Sequence, residues 1–166
     1  MYSIGDNTYG ELGADCISSV EKPTKASFNF DSAIKKVSAG ARHSLILLES
    51  GSLYAFGDNS EGQCSGVSTR YSKPIKIEIE SKEKIVDVYS GYNHNLIILN
   101  NGEMFTWGDT SSGKLGYLEG NLTQNTPRLI QVLKGKFSNC VSLGFQMTVI
   151  STSAYENSLV NLSKIN

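Results

Sequence analysis

Gly5-Asp-Asn-Thr-Tyr-Gly-Glu-Leu-Gly13 returns as Gly57-Asp-Asn-Ser-Glu-Gly-Gln-Cys-Ser-Gly66 and again as Gly108-Asp-Thr-Ser-Ser-Gly-Lys-Leu-Gly116. A second phrase follows each of these: Val37-Ser-Ala-Gly-Ala-Arg-His-Ser44, Val88-Tyr-Ser-Gly-Tyr-Asn-His-Asn95 and the weaker Val141-Ser-Leu-Gly-Phe-Gln-Met-Thr148. The spacing is steady, with 52 residues from Gly5 to Gly57 and 51 from Gly57 to Gly108. Pro23, Pro74 and Pro127 keep the same beat, 51 and 53 residues apart. A period near 50 marks a chain of stacked units, each of which buries its apolar face on the next. The units run over about residues 1–50, 51–101 and 102–150, and residues 151–166, without a counterpart, read as an irregular tail.

Each unit carries strand signals. Ser44–Glu49 runs through Ser50-Gly51 into Ser52–Phe56, and Asn95–Leu99 runs through Asn101-Gly102 into Glu103–Trp107. Asn-Gly between apolar runs signals a hairpin, because both turn positions tolerate positive φ. A further strand precedes each histidine phrase (34–37, 85–88, 138–141), and a fourth follows each proline (24–26, 75–79, 128–132). In the middle unit Ile75, Ile77 and Ile79 alternate with Lys76 and Glu78, one apolar face against one polar face. Four short strands per unit predict an all-β fold, a partial β-propeller of about three four-stranded blades. The stretch between each glycine phrase and its proline varies in length, from Gly13 to Pro23, Gly66 to Pro74 and Gly116 to Pro127. Variable loops at a fixed place in the unit gather on one face, which is where a protein partner is expected.

The bulk numbers narrow the function. A net charge of −1 with 19% charged residues supplies no global field for nucleic acid. No apolar run approaches the ~18–20 residues of a membrane span, and Met1-Tyr-Ser-Ile-Gly5 lacks the features of a secretion signal. Cys16, Cys64 and Cys140 are odd in number and lack metal-ligand spacing, so they read as reduced thiols of an intracellular protein. Cytoplasm, cilium and nucleus are not distinguished. Without a secretory route, the acceptor patterns at Asn121 and Asn161 carry no weight.

No catalytic, cofactor-binding or metal-binding residue is assigned. His43 and His94 occupy one repeat position, 51 residues apart, with no Cys, Asp or Glu cluster beside them. Each is expected to be a structural imidazole bonded within its own blade. Asp6, Asp58 and Asp109 follow repeat glycines and are expected to close local turns through their carboxylates. The Gly-x-x-x-x-Gly spacing lacks the Lys-Ser/Thr pair of a phosphate loop, and no serine sits in a Gly-x-Ser-x-Gly elbow. Trp107 shares a repeat position with Phe56 and Ile4, which makes it a packing residue. Residues 73–84 mix both charge signs and read as a solvated strand face. The residues expected to serve the repeat itself are Gly5, Gly10, Gly13, Gly40, His43, Gly57, Gly62, Gly91, His94, Trp107, Gly108, Gly113, Gly116 and Gly144.

These two phrases, in this order and at this period, resemble the regulator of chromosome condensation repeat, and the resemblance covers about residues 1–150. Within that family, residues 90–127 look most like the retinitis pigmentosa GTPase regulator branch. The resemblance implies a seven-bladed propeller of four-stranded blades that acts as a protein scaffold. In the founding member it implies nucleotide exchange on a small nuclear GTPase. This chain departs from the pattern. It has about three repeats, Gln63-Cys64-Ser65-Gly66 stands where Leu-Gly is usual, and Met147 replaces the third histidine. The repeat spacing leaves no room for a hairpin wedge of the kind the exchange-active member uses.

The expected function is therefore a non-enzymatic protein–protein interaction scaffold in small-GTPase-linked regulation or trafficking. The alternatives are a guanine nucleotide exchange factor for a small GTPase and a chromatin-binding propeller, which would favour a basic patch or arm. The terminal strands, Met1–Gly5 and Thr148–Thr152, read as halves of one hairpin. That predicts further repeats in a longer product, or head-to-tail pairing of copies, with the first favoured.

Overall fold

Twelve strands appear among the residues that the computed structural model describes, 1–14, 18–117 and 124–154. In chain order they are β1 (Tyr2–Gly5), β2 (Val20–Lys25), β3 (Ile34–Ala39), β4 (His43–Leu48), β5 (Leu53–Asp58), β6 (Arg70–Ile77), β7 (Ile85–Ser90), β8 (His94–Leu99), β9 (Met104–Gly108), β10 (Gln124–Leu129), β11 (Lys136–Leu143) and β12 (Thr148–Ala154). All pairs are antiparallel and sequential. Two sheets are complete, β3-β4-β5-β6 and β7-β8-β9-β10, and two are half-sheets, β1-β2 and β11-β12. The strands make three blades' worth of sheet, divided as two whole blades and two halves.

The sequence unit and the blade are therefore out of phase. One unit supplies the third and fourth strands of one blade and the first two of the next, so each is bound covalently to both neighbours.

The central strands show why the chain adopts this form. In β4 every second residue faces one neighbour. Leu45 and Leu47 join a cluster with Val88, Ile97, Leu99, Phe105 and Trp107 of the following blade. Ile46 and Leu48 turn the other way, with Phe56, onto Met1, Phe28 and Phe30 of the preceding half-blade. In β8, Leu96 packs toward Val141, Leu143 and Ile150 of the following half-blade. Strands buried on both faces read as continuous apolar runs, and each fully buried leucine or isoleucine contributes about 1.5–3 kcal/mol. The blades are also joined at their polar margin. The Lys36 ammonium pairs with Asp87 and lies 3.9 Å over the Tyr89 ring, whose hydroxyl donates to Asp87 at 2.7 Å.

Three expectations are corrected in detail. The prolines lie inside the fourth strand instead of ahead of it: Pro23 in β2, Pro74 in β6 and Pro127 in β10. These strands form the edge of their sheets, where a missing N–H costs nothing when it faces away from the ladder. Of the alternating isoleucines only Ile77 is buried, and Ile79 falls beyond the end of β6. The β12 strand also continues through Ala154, paired along β11, four residues past the expected end of the repeats at 150.

The hairpins form at the expected places with a different turn. The Leu48 N–H donates to Ser52 O at 2.9 Å and Gly51 N–H to Leu48 O at 2.9 Å, and Leu99, Glu103 and Gly102 repeat the arrangement. The loops have three residues, 49–51 and 100–102, and positive φ falls on the glycine alone, 92° at Gly51 and 84° at Gly102. This is the type I turn closed by a left-handed residue. A side chain at Gly102 would also lie 2.9 Å from the Phe137 ring. Gly102→Val is expected to destabilise the fold by about 1–3 kcal/mol. Thermal melting checks this, and an unchanged midpoint would refute the turn assignment.

Candidate functional site

One end of the sheets carries both repeated phrases. Each glycine phrase opens on an Asp whose carboxylate closes the turn as expected. Asp6 accepts from the Thr8 N–H at 3.1 Å, Asp58 from Ser60 at 3.0 Å and Asp109 from Ser111 at 2.8 Å. Two residues missed by the sequence reading finish the loop. Asn7 Oδ1 accepts from the Leu12 N–H at 2.9 Å, and Asn59 Oδ1 accepts from the Cys64 N–H at 2.8 Å. Their signal was present, since Asn recurs directly after Asp in both phrases, while Thr110 takes its place in the third. Cys64 fills the buried place held by Leu115, and burial pushes its thiol pKa up. The extra residue of that phrase, Ser65, takes a φ of 64°.

The histidines bond between blades, not within one. His43 Nε2 lies 2.7 Å from Asn95 Oδ1, and Asn95 Nδ2 donates to Gln63 O at 2.8 Å. Trp107 Nε1 donates to the same carbonyl at 3.0 Å. Since Asn95 presents its acceptor to the ring, His43 carries its proton on Nε2. The next joint repeats the pattern: His94 Nε2 lies 3.0 Å from Thr148 Oγ1, which donates to Lys114 O at 2.8 Å. Ser44 Oγ donates to Glu11 O at 2.7 Å in the same position. Each imidazole thus reaches forward one blade, and the group it meets reaches back to the preceding glycine phrase. Both rings are buried and neutral, and desolvation is the main cause of pKa values lowered to about 4. Lys114 adds to the depression at His94.

The repeat glycines sit where a side chain would collide. A Cβ at Gly40 would lie 2.5 Å from His43 Nδ1 and 2.8 Å from Gly91 O, and one at Gly91 would lie 2.7 Å from His94 Nδ1 and 2.9 Å from Gly144 O. Adjacent turns also hydrogen-bond here, Ala41 N–H to Tyr92 O at 3.1 Å and Tyr92 N–H to Gly144 O at 3.3 Å. Gly57 and Gly108 press against the backbone of the second strand at His43 and His94. Gly10 and Gly62 receive the fourth strand of the following blade, at Ser72 and Asn125. Gly13 lies against Phe28 and Gly116 against Ile130. Among the described residues nothing lies within 4 Å of a Cβ at Gly5 or Gly113, and the nearest atoms to one at Gly144 are those of Met147, from 3.1 Å.

This end also bears several exposed large side chains. Arg42 stacks on the Tyr9 ring at 4.7 Å and donates to its hydroxyl at 3.2 Å. Tyr92 and Phe145, at one repeat position, pack with ring centroids 4.3 Å apart. Met147 lies exposed next to them. Beneath, buried Lys114 pairs with Asp109 and donates to Ser111 Oγ at 3.1 Å and Gln146 Oε1 at 2.9 Å. Among the described residues no three His, Cys, Asp or Glu side chains group as metal ligands, and no helix is long and apolar enough to cross a membrane. Cys64 and Cys140 are free thiols, and Cys16, Asn121 and Asn161 lie outside the described residues.

Comparison with known proteins agrees with this geometry. Residues 1–47, 50–98 and 101–150 match the regulator of chromosome condensation (RCC1) repeat, and a shorter form of the same repeat matches 34–63 and 85–114. The chain is 31% identical to the ultraviolet-B receptor UVR8 of Arabidopsis thaliana over 134 residues, 80% of this chain and 30% of the receptor. It is 33% identical to the X-linked retinitis pigmentosa GTPase regulator of Canis lupus familiaris over 118 residues, 70% of this chain and 12% of that protein. Among solved structures it resembles Prp20p of Saccharomyces cerevisiae, which binds Gsp1p and histones. The TM-score is 0.82 at 21% identity, covering 95% of this chain and 40% of Prp20p. The chain thus spans less than half of each of these three proteins.

Proposed function

Because this chain belongs to the regulator of chromosome condensation (RCC1) repeat family, we propose that it is a non-enzymatic scaffold whose turn-bearing face binds a protein, with a small GTPase as the partner class. The observation that carries this reading is the exposed line of Arg42 on Tyr9 and Tyr92 on Phe145. Aromatic rings and arginine are the side chains that dominate protein interfaces. Here they are pre-ordered by stacking on a rigid set of turns, so little conformational entropy is lost on binding. The binding of Gsp1p by Prp20p and the GTPase regulator among the relatives support the choice of partner class.

The test is binding of the purified chain to a panel of purified small GTPases, together with the double variant Tyr92→Ala/Phe145→Ala. Binding to a member of the panel, weakened at least about tenfold in the variant, is the expected result. Nucleotide release is expected to keep its unassisted rate. No binding across the panel would reject the reading. Dose-dependent acceleration of release would replace it with exchange-factor activity.

A further inference from the structure

Two successive joints between blades are filled differently at their outer margin. After β2, Phe28 and Phe30, five and seven residues beyond Pro23, lie against the next blade. Phe28 meets Phe30 with ring centroids 5.3 Å apart and Phe56 at 5.4 Å, and Phe30 meets Tyr54 at 4.9 Å. One unit later, the residues five and seven beyond Pro74 are Ile79 and Ser81, and the counterpart of Tyr54 is Phe105. Ile79 still packs on the core with Phe105 and Leu129, but Ser81 brings no ring to join it. A groove of about 630 Å³ opens here between the two whole blades. It follows β10 from Gln124, opposite Gly108, to Leu129, opposite Phe105. Ile79, Phe105, Pro127 and Leu129 give it an apolar floor. Its rim carries three carboxylates, Glu78, Glu80 and Glu103, against one guanidinium, Arg128, which stacks over the Tyr117 ring at 4.6 Å. Lys76 meets Glu78 at 3.2 Å, whereas Glu80 and Glu103 have no cation beside them among the described residues.

We propose that this groove takes an extended segment of a partner protein in which aromatic side chains are flanked by lysine or arginine. The aromatic part of the assignment comes from the chain itself. Phe28 and Phe30 show which shape the same place accepts when it is filled. A buried ring withdraws about 150–250 Å² from water, a large gain for one side chain. The volume also falls within the range of about 300–1,000 Å³ found for binding cavities. The charge comes from the rim. Carboxylates beside an apolar floor attract a cation more strongly than carboxylates in open water. The rim alone would draw any cation, and the floor selects one carried next to a ring. This site is separate from the turn-bearing face, because Glu103 follows the Asn101-Gly102 turn at the end of β9 remote from Gly108. It can therefore be occupied while that face is engaged.

Fluorescence anisotropy of a labelled peptide, Lys-Phe-Asn-Phe-Lys, titrated with the purified chain tests the proposal. The expected result is saturable binding that weakens as salt is raised. Lys-Ala-Asn-Ala-Lys and Glu-Phe-Asn-Phe-Glu are each expected to bind at least about tenfold more weakly. Ile79→Phe combined with Ser81→Phe gives this joint the two rings of the preceding one. That variant is expected to lose the peptide without a lower melting temperature. Glu80→Lys and Glu103→Lys alter the rim alone, and each is expected to weaken binding by about two- to fivefold, the effect of one exposed ion pair. Tyr92→Ala/Phe145→Ala is expected to bind the peptide as the native chain does. No saturable binding of the lysine-flanked peptide would overturn the proposal. Binding indifferent to Ile79 and Ser81 would overturn the groove as the site. Binding indifferent to both glutamates, or equal binding of the acidic peptide, would overturn the basic character of the partner.

Discussion

Gly57→Ala is expected to cost about 4 kcal/mol of stability and to lower the melting temperature by roughly 10 °C. Two penalties combine. The residue holds a φ of 110°, a region costly for any residue with a Cβ. The added Cβ would also lie 2.7 Å from His43 Cα, in the paired strand β4, and closer still to the carbonyl oxygen of Arg42 just before it, which accepts from the Asp58 N–H at 2.7 Å. Neither can move without breaking the ladder that carries Leu45 and Leu47 into the core. Gly5→Ala separates the two terms. Its φ of 121° is similar, yet nothing lies within 4 Å of the new atom, so only the backbone strain remains. Differential scanning calorimetry of both variants checks the difference. Equal losses would show that the close approach contributes nothing.

Mild acid is expected to destabilise the chain before its carboxylates titrate. His43 is buried and neutral, with a folded pKa of about 4 against 6.5 for a free imidazole. Below pH 6.5 the unfolded chain takes up a proton that the folded chain refuses until about pH 4, so stability falls as pH falls through this window. At about 1.4 kcal/mol per unit, His43 alone can contribute a loss of roughly 3 kcal/mol, and His94 acts in the same direction. Glu11 opposes them, because burial raises its carboxyl pKa and its protonation favours the fold. The Asp87 and Asp109 carboxyls are held low by hydrogen bonds from Lys36 and Lys114, against the opposing effect of their burial. Their stabilisation is present above the usual carboxylate range and lost only below it. His43→Gln keeps a donor for Asn95 and does not titrate. Melting curves from pH 7.5 to 4.5 are expected to show a steep fall for the native chain and a flatter one for this variant. Parallel curves would exclude His43 as the source.

The repeat reading captured what depends on short range. The hairpins, the Asp-closed turns and the burial of Phe56 and Trp107 follow from residues close together in the chain, where alternation and turn chemistry act. Relations between units were less legible. The expectation that His43 bonds within its own blade failed because its partner, Asn95, is 52 residues away and belongs to the same phrase one unit later. Nothing in a single phrase says whether its polar groups face inward or toward the next copy of itself. The phase of the blades was legible only at the terminal strands, read as halves of one hairpin. The units at 1–50, 51–101 and 102–150 each open on a third strand and so cut every blade in half. The prolines misled because a strand edge tolerates what a strand interior does not, and edge status is a property of the sheet.

The half-blade offset has a consequence for how the chain assembles as it leaves the ribosome. When one 51-residue unit has emerged, no blade is finished. Its first pair of strands completes an older sheet, and its second pair waits for residues still being synthesised. Folding therefore advances by a ratchet in which each new unit seals what came before and leaves one fresh edge at the growing point. Beside the edge that β1 presents from the first unit onward, only that one further edge is exposed during synthesis, however many units follow. The vulnerable surface stays constant while the folded mass increases.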